Sequence, residues 1–256
     1  MNLTFKGPTN AFRSGHRTGF SATANRQRKA EKIRRILLEA RGTDILDDSI
    51  LDIGTGNGEI AAYFGDLSRH VVSVDVSDAR VVDQGFEFQQ IRGEQLPFPD
   101  RSFDVVISNH VIEHLSDQQR HVMEIERVLK DDGLAYLATP NRLWPWEYHY
   151  RVALLHYLPP PIFERCLALL GKFTEKLNLV SYRGLRRLLE PHFAISTYSD
   201  RVCRRPGHYA MVWPGWLERT MAIVPLAFYT RTVRLHPTFL LVLRKRTPRR
   251  GARHSA

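Results

Sequence analysis

The chain has 256 residues, 43% of them apolar, which is enough to bury the core of one elaborated domain. Its two cysteines, Cys166 and Cys203, have no metal-ligand spacing around them, which excludes a disulfide framework and a cysteine zinc site. The net charge of +10 is uneven, because residues 1–41 carry +8, residues 42–140 carry −12 and residues 141–256 carry +14.

The basic flanks suit an anionic substrate, a membrane surface, a nucleic acid or simply a solvated surface. The first twenty residues are charged throughout and lack the apolar core of a signal peptide. A helix that spans a bilayer needs about 20 apolar residues, and the apolar stretches near the C-terminus, at 221–229 and 239–243, are much shorter. We therefore expect a cytoplasmic protein that contacts a membrane only peripherally, if at all.

The pattern along the chain predicts one domain between two basic ends. We expect a flexible arm over 1–24, the domain over 25–246 and a tail over 247–256. Within the domain, 25–140 forms a cofactor half, and 140–180 and 199–237 are insertions rich in aromatic or basic residues. Helical spacing of apolar residues begins at Asn25 and ends near Arg41, before a glycine.

Short apolar runs then alternate with segments compatible with helices. The runs lie at 50–53, 71–76, 86–91, 105–108, 134–138, 193–198 and 239–243. Helices are predicted over 118–129 and 181–190, with Ser181 as an N-cap. This alternation predicts a doubly wound α/β fold whose parallel strands are joined by crossover helices.

Three glycines follow the first predicted strand, in the segment Asp52-Ile53-Gly54-Thr55-Gly56-Asn57-Gly58. Glycines at this position let the backbone turn tightly and let a ligand approach closely. Asp75 ends the second predicted strand, where a carboxylate can accept hydrogen bonds from two ribose hydroxyls. The two strand ends therefore predict a site for a nucleoside cofactor.

Together with the segment Leu96-Pro97-Phe98-Pro99-Asp100-Arg101-Ser102-Phe103-Asp104-Val105-Val106, the chain over about 45–140 resembles the class I S-adenosylmethionine-dependent methyltransferases. The resemblance is to their broad type-11-like group. It implies a Rossmann-like, mostly parallel sheet of seven strands with helices on both faces and insertions after strands 5 and 6. It also implies S-adenosylmethionine as the cofactor and methyl transfer as the activity.

The resemblance also implies a set of cofactor-binding residues. They are Asp52, Gly54, Thr55, Gly56 and Gly58 around the methionine part, Asp75 and Val76 at the ribose and adenine, Glu94, Gln95 and Leu96 by the adenine, and Asn109 in the stretch that lines the cofactor. Arg92 stands where relatives often place an acidic residue, so the adenine contact is assigned to Glu94, Gln95 or backbone.

His110 and His114 follow the fourth strand at the edge where such folds bind ligands, so both are candidate general bases. His114 could instead only orient the loop. We expect no metal, with one alternative. The positions of His110, Glu113 and His114 resemble a set that some quinone-biosynthetic O-methyltransferases use to bind a divalent ion, although those enzymes usually have a carboxylate where this chain has His110.

The aromatic segment after the fifth strand predicts an acceptor pocket, to which Asn141, Trp146 and His149 are assigned. The acceptor is expected to be a small molecule methylated on oxygen, of lipidic, quinone-like, glycan or secondary-metabolite type. Arg-rich segments at 26–35 and 244–253 favour an RNA methyltransferase as the alternative. The segment Ser108-Asn109-His110-Val111 stands where amino-group methyltransferases carry an Asn-Pro-Pro-aromatic motif, and this difference argues against an RNA methyltransferase. A non-catalytic binding protein is the third hypothesis. The sequence leaves the oligomeric state open.

Overall fold

A computed structural model describes residues 20–246, with side chains from Arg26 onward. Most of the predicted arm and all of the predicted tail therefore lie outside the described residues. The first helix begins at Phe20, five residues before the predicted start. Ala22 and Ala24 precede the apolar repeat, and their high helix propensity accounts for the longer helix.

Nine strands and eight α-helices make up the described part of the chain. The strands are β1 Ser49–Ile53, β2 His70–Asp75, β3 Glu87–Gln90, β4 Phe103–Asn109, β5 Leu129–Pro140, β6 Trp146–Glu147, β7 Val152–Ala153, β8 Phe193–Thr197 and β9 Thr238–Lys245. The helices are α1 Phe20–Arg41, α2 Glu59–Gly65, α3 Gln118–Val128, α4 Pro160–Leu169, α5 Tyr182–Leu189, α6 Ser199–Arg204, α7 Gly215–Ile223 and α8 Leu226–Arg231.

Seven of the strands form one sheet in the order β3-β2-β1-β4-β5-β9-β8. The strands β1 to β5 pair in parallel, and β9 pairs antiparallel with both β5 and β8. The strand order reverses at β1, so the sheet is doubly wound and its ligand site is expected at the carboxyl ends of β1 and β4. The predicted mostly parallel seven-stranded fold is confirmed.

Helices cover both faces of the sheet, as predicted. One core packs α3 and α5 against the face that carries Leu51, Val106 and Leu137. The other core packs α1, α2 and α6 against the face that carries Ile50 and Tyr136. Strands β1, β4 and β5 are buried on both faces because both layers are present, which explains their continuous apolar runs.

The prediction of crossover helices is wrong for two connections. Neither β2 to β3 nor β3 to β4 contains a helix in the described residues. Gly85 and Gly93 adopt left-handed backbone angles there, with φ of 85° and 71°, and Pro97 and Pro99 lack the amide hydrogen that a helix needs. These segments therefore cross as extended loops.

The two insertions leave the sheet at the same edge as the glycine loop, because β5 and β8 both end there. The first insertion, 140–180, contains the β6–β7 hairpin and α4, with its own small core around Tyr150, Phe163 and Leu167. The second insertion, 199–237, contains α6, α7 and α8. Across residues 20–246, every helix is too short or too polar to cross a bilayer.

Candidate active site

The glycine loop joins β1 to α2, and its three glycines differ in how closely the protein packs around them. Gly54, Gly56 and Gly58 all have positive φ, of 82°, 54° and 86°. A Cβ on Gly54 would lie 2.5 Å from Val111 Cγ2, and one on Gly58 would lie 2.0 Å from the Val82 carbonyl oxygen. A Cβ on Gly56 would have nothing within 4 Å, so the loop is packed at both ends and open at its centre, where a ligand can approach.

Asp75 is held in place at the end of β2 by backbone donors. The Gly56 amide donates to Asp75 Oδ2 at 3.0 Å, and the Ser77 amide donates to Oδ1 at 3.2 Å. The carboxylate is partly exposed and keeps unused lone pairs on both oxygens. This carboxylate is therefore oriented before any ligand arrives, beside the open centre of the glycine loop.

Asp52 is buried beneath the same loop, with a side chain that Ser73 holds. The Ser73 hydroxyl donates to Asp52 Oδ2 at 3.0 Å and lies 2.6 Å from the Thr55 hydroxyl. Burial raises the pKa of Asp52 to about 7, the Ser73 hydrogen bond opposes that rise, and the charge of Asp75 adds to it. A cation that enters the loop would favour the ionised form of Asp52.

The residues assigned to the adenine have unequal access to a ligand. Val76 is 58% exposed. Glu94 is within reach of the Ser116 hydroxyl, at 3.3 Å, and so ties the loop after β3 to the loop after β4. Gln95 is exposed and lies 3.4 Å from an Arg120 nitrogen.

Leu96 differs from its neighbours because it is packed in the core and only 3% exposed. Its amide donates to Glu124 at 2.7 Å, and its carbonyl accepts from Arg127 at 2.8 Å. Both backbone groups are thus committed to the protein, and the assignment of Leu96 to the cofactor depends on the resemblance alone.

His110 follows Asn109 at the end of β4 in a left-handed conformation, with φ of 60°, and its amide donates to the Ala138 carbonyl at 2.9 Å. His110 Nδ1 lies 3.2 Å from Glu113 Oε1. Glu113 is fully buried, and its Oε2 accepts from the Thr139 hydroxyl at 2.9 Å. The imidazole is held through Nδ1, which leaves Nε2 for another partner.

The pKa values of this pair reflect burial and mutual attraction. Burial lowers the pKa of His110, Glu113 opposes that change in part, and the charges of Lys29 and Lys32 lower it further. Burial would raise the pKa of Glu113, but the hydrogen bond and the charge of His110 hold it below its usual value. Glu113 is therefore a buried carboxylate and His110 is favoured as neutral imidazole.

His114 lies close to His149, with ring centroids 5.1 Å apart. His149 Nδ1 is 2.8 Å from Glu147 Oε1, and His114 Nδ1 is 3.2 Å from Glu175 Oε1. Burial lowers the pKa of His114, but the neighbouring carboxylates, with Glu175 first among them, outweigh burial and raise it. The first insertion thus brings two carboxylates and a histidine to the end of β4.

The donor atoms that converge are not the set suggested by the sequence. Single donor atoms of Glu113, His114 and His149 all lie within 4.8 Å of one another, so His149 joins the group that was expected to include His110. Sequence reasoning missed Glu147 and Glu175 altogether. The spacing Glu147-x-His149 was a usable signal, whereas Glu175 is more than 60 residues from His114 and gave none.

Asn141 does not serve as predicted. It is 3% exposed, and its amide nitrogen donates to the carbonyl oxygens of Arg234 and His236 at 2.8 Å each. Its amide oxygen accepts from the Leu143 backbone at 2.9 Å. Because each amide atom is engaged inside the protein, Asn141 joins the start of the first insertion to the end of the second and has no group free to orient an acceptor.

Trp146 and His149, the other predicted acceptor residues, lie in or beside the β6–β7 hairpin. Trp146 is 44% exposed. A cavity of about 200 Å³ lies between this insertion and the start of α3, lined by Arg142, Phe163, Leu167 and Glu175 among others. A second cavity, of about 470 Å³, opens at the opposite edge of the sheet, where β1, β2 and β4 begin. Neither lining includes His110, His114 or His149, but the smaller cavity is lined by Glu175, whose Oε1 lies 3.2 Å from His114 Nδ1.

Comparison with known sequences matches a central part of the chain. Residues 51–137 match the family model described as a methyltransferase domain. A probable S-adenosylmethionine-dependent methyltransferase of Mycobacterium tuberculosis is 39% identical over 99 residues, which are 37% of this chain and 36% of that protein. The uncharacterized methyltransferase YcgJ of Bacillus subtilis is 38% identical over 94 residues, which are 33% of this chain and 37% of that protein.

Solved structures agree over a longer part of the chain. An S-adenosylmethionine-dependent methyltransferase from Mesorhizobium loti superposes with a TM-score of 0.55 at 16% identity, over 82% of this chain and 96% of that one. The YcgJ structure gives a TM-score of 0.51 at 19% identity, over 86% of this chain and 99% of that one. Identities this low show a shared fold.

The sequence matches span little more than a third of the curated relatives named above. The family model, over residues 51–137, includes the glycine loop, Asp75 and the end of β4, the parts from which the site is built. The sheet order, the family model and the relatives agree. Over residues 51–137 this chain matches the methyltransferase domain model, within a sheet that has the fold of S-adenosylmethionine-dependent methyltransferases.

Proposed function

We propose that the protein transfers a methyl group from S-adenosylmethionine to an oxygen of a small, largely apolar acceptor. The observation that carries this proposal is that an open glycine loop, an oriented Asp75 and the His110–Glu113 pair share one edge of the sheet. This arrangement supports a site with one part for the cofactor and one part for a nucleophile.

The residues at the loop fit the cofactor chemically. The space above Gly56 admits the methionine part, flanked by Gly54, Thr55 and Gly58. Asp52 suits its ammonium group, since a buried carboxylate pairs strongly with a cation. Asp75 suits the ribose hydroxyls because its oxygens are held by two amides and still accept. Val76, Glu94, Gln95, Leu96 and Asn109 complete the proposed set by resemblance.

The bound cofactor supplies a methyl carbon that its sulfonium group activates, so the protein must mainly align the acceptor and take its proton. His110 is the proposed general base, because Nδ1 faces Glu113 and Nε2 remains available. As Nε2 takes the hydroxyl proton, the buried Glu113 carboxylate stabilises the imidazolium that forms. His114 is proposed to position the loop, since its own Nδ1 faces Glu175.

The insertions favour an apolar acceptor. Of the 19 exposed large apolar side chains in the described residues, ten lie in the first insertion and five in the second. Residues 140–180 carry a net charge of +2 and residues 199–237 carry +4. Apolar side chains beside basic ones suit a lipid-like acceptor and peripheral contact with an anionic membrane surface.

RNA is a weaker candidate because three of the six basic side chains in the segment 26–35 of α1 are paired with carboxylates. Arg26 pairs with Glu59, Arg34 with Asp44, and Arg35 with Glu31. Paired arginines have fewer free donors for phosphate groups. The assignment of residues 25–246 to one domain and a cytoplasmic location remain predictions of the same proposal.

Labelled methyl transfer tests this function. Purified protein is incubated with S-adenosylmethionine carrying a labelled methyl and with cell extract, which is then separated into lipid, polar metabolite, RNA and protein fractions. We expect label in the lipid or small-molecule fraction, lost in Asp75→Asn and kept in Asp131→Asn, a surface carboxylate remote from the site. Label in RNA would replace the acceptor class, and cofactor binding without transfer into any fraction would support a binding protein.

A further inference from the structure

We propose that Glu113, His114 and His149 bind a divalent first-row transition-metal ion of the zinc type. One ligand atom from each residue lies within 4.8 Å of the other two. Two of these residues come from the turn after β4, and the third comes from the first insertion. An ion at this position would therefore join the insertion to the catalytic edge of the sheet.

The strongest support is the way His149 is held. Glu147 is buried, and its Oε1 accepts from the His149 amide at 2.9 Å and lies 2.8 Å from His149 Nδ1. This contact assigns the proton to Nδ1 and leaves a lone pair on Nε2. A carboxylate that orients a histidine in this way is the usual outer-shell arrangement of a metal ligand.

The lone pair of His149 Nε2 then lies 3.9 Å from Glu113 Oε1. That separation is too long for a hydrogen bond and leaves room for an ion between the two atoms. Glu113 is fully buried, and a buried carboxylate is stable only beside positive charge or hydrogen-bond donors. An ion between the two atoms would supply the missing positive charge.

His114 also has a buried nitrogen without a hydrogen-bond partner in the described part of the chain. Its Nδ1 is buried and has no hydrogen-bond partner among the described residues, and the nearest carboxylate, Glu175 Oε1, lies 3.2 Å away as an ion-pair contact. Buried polar atoms are nearly always paired, so an unpaired one beside a carboxylate calls for an explanation. A bound ion would take one ring nitrogen of His114 as a ligand, and Glu175 would add negative charge close by.

The donor types select the class of ion. Two imidazole nitrogens and one carboxylate oxygen suit zinc, cobalt, iron or manganese better than calcium or magnesium, which prefer oxygen ligands. Three protein ligands leave a coordination position open. His110 Nδ1 is 3.2 Å from the same oxygen of Glu113, so the ion would lie next to the proposed base. A role of the ion toward the acceptor depends on the proposed function, whereas its binding does not.

Metal titration of the full chain tests this inference. Protein prepared without a polyhistidine tag is stripped with chelator and titrated with Co²⁺, followed by visible absorption, and with Zn²⁺, followed by calorimetry. We expect one ion per chain. His149→Ala and His114→Ala should each weaken binding at least tenfold, and Glu147→Gln, which changes only the outer shell, should weaken it about 10- to 100-fold. His70→Ala is the control, because His70 also faces a carboxylate, Glu87 at 3.1 Å, but at the opposite edge of the sheet.

Two results would overturn the inference: wild-type protein that binds neither ion stoichiometrically, or a His149→Ala variant that binds as the wild type does. Circular dichroism of the stripped variants checks that they are folded. The same preparations are titrated with S-adenosylhomocysteine. Binding of that nucleoside without metal binding would reject the ion and leave the proposed function standing. Metal binding without nucleoside binding would support the ion and reject the proposed function.

Discussion

Replacing Asp52 by Asn should abolish a specific pH dependence of cofactor binding. Because burial raises the pKa of Asp52 to about 7, the carboxyl is mostly protonated near pH 6 in the cofactor-free protein. An ammonium ion that binds beside Asp52 requires the ionised carboxylate. Wild-type protein should therefore bind S-adenosylhomocysteine about fivefold more tightly near pH 7 than near pH 6, and release about 0.9 proton on binding near pH 6.

The same group predicts how stability varies with pH. The pKa of Asp52 is higher in the folded than in the unfolded protein, so its contribution is greatest below about pH 4 and falls as pH rises toward 7. At about 1.4 kcal/mol per pKa unit, the cofactor-free protein should lose about 2 kcal/mol of unfolding free energy between about pH 5 and pH 7 from this residue. Asp52→Asn, which is neutral at all pH values, should lack this slope.

Calorimetry in two buffers of different ionisation enthalpy measures both affinity and proton release. Asp52→Asn should bind with no proton release from this group, and about 10- to 100-fold more weakly near pH 7, since a charged hydrogen bond contributes about 1.5–3 kcal/mol. Asp48→Asn is the matched control, because Asp48 is also buried but precedes the other end of β1. Equal proton release by wild type and Asp52→Asn would refute the reasoning.

Four further substitutions separate binding, chemistry and folding. Gly56 has a φ of 54° and open space around it, so Gly56→Ala should fold at a cost of about 1–2 kcal/mol but lose at least tenfold in S-adenosylhomocysteine affinity. A Cβ on Gly58 would lie 2.0 Å from a carbonyl oxygen, so Gly58→Ala should fail to give a cooperative melt. Similar melting of the two variants would contradict these different roles. His110→Asn, which tolerates the left-handed backbone, should lower kcat at least about 100-fold with little change in cofactor affinity, and an unchanged kcat would remove His110 as the base. Asn141→Ala should lower the unfolding free energy by about 3 kcal/mol because two buried carbonyls lose their donor, with kcat/KM nearly unchanged below the melting temperature; a selective loss of activity would restore Asn141 to acceptor recognition.

The sequence predicted the strands and the glycine loop of residues 49–140 well because their signals are local. Gly54, Gly56 and Gly58 directly follow a buried strand, and Asp75 ends the next one, so the parallel sheet necessarily brings them to one edge. The connections from β2 to β3 and from β3 to β4 contain glycine and proline and have no helix in the described structure, so a prediction based on alternating strands and helices did not apply to them. Those two connections were therefore predicted wrongly.

The acceptor side was harder to predict because its contacts join distant parts of the chain. Glu175 meets His114 only after the first insertion folds back over the end of β4, and no spacing in the sequence indicates that contact. Asn141 follows β5 in the same way as a ligand-binding residue would, but the carbonyls that it binds belong to residues more than 90 positions later. Position along the chain indicated the correct edge of the sheet but not which side chains remain free there.

If the glycine loop and Asp75 bind S-adenosylmethionine for methyl transfer, calorimetric titration with this cofactor should distinguish the wild-type protein from Asp75→Asn. We expect one site per chain in the wild type and a loss of affinity of at least tenfold in Asp75→Asn, with Asp131→Asn unchanged. A wild-type protein that does not bind the cofactor, or an Asp75→Asn variant that binds it equally well, would show that these residues do not form its binding site.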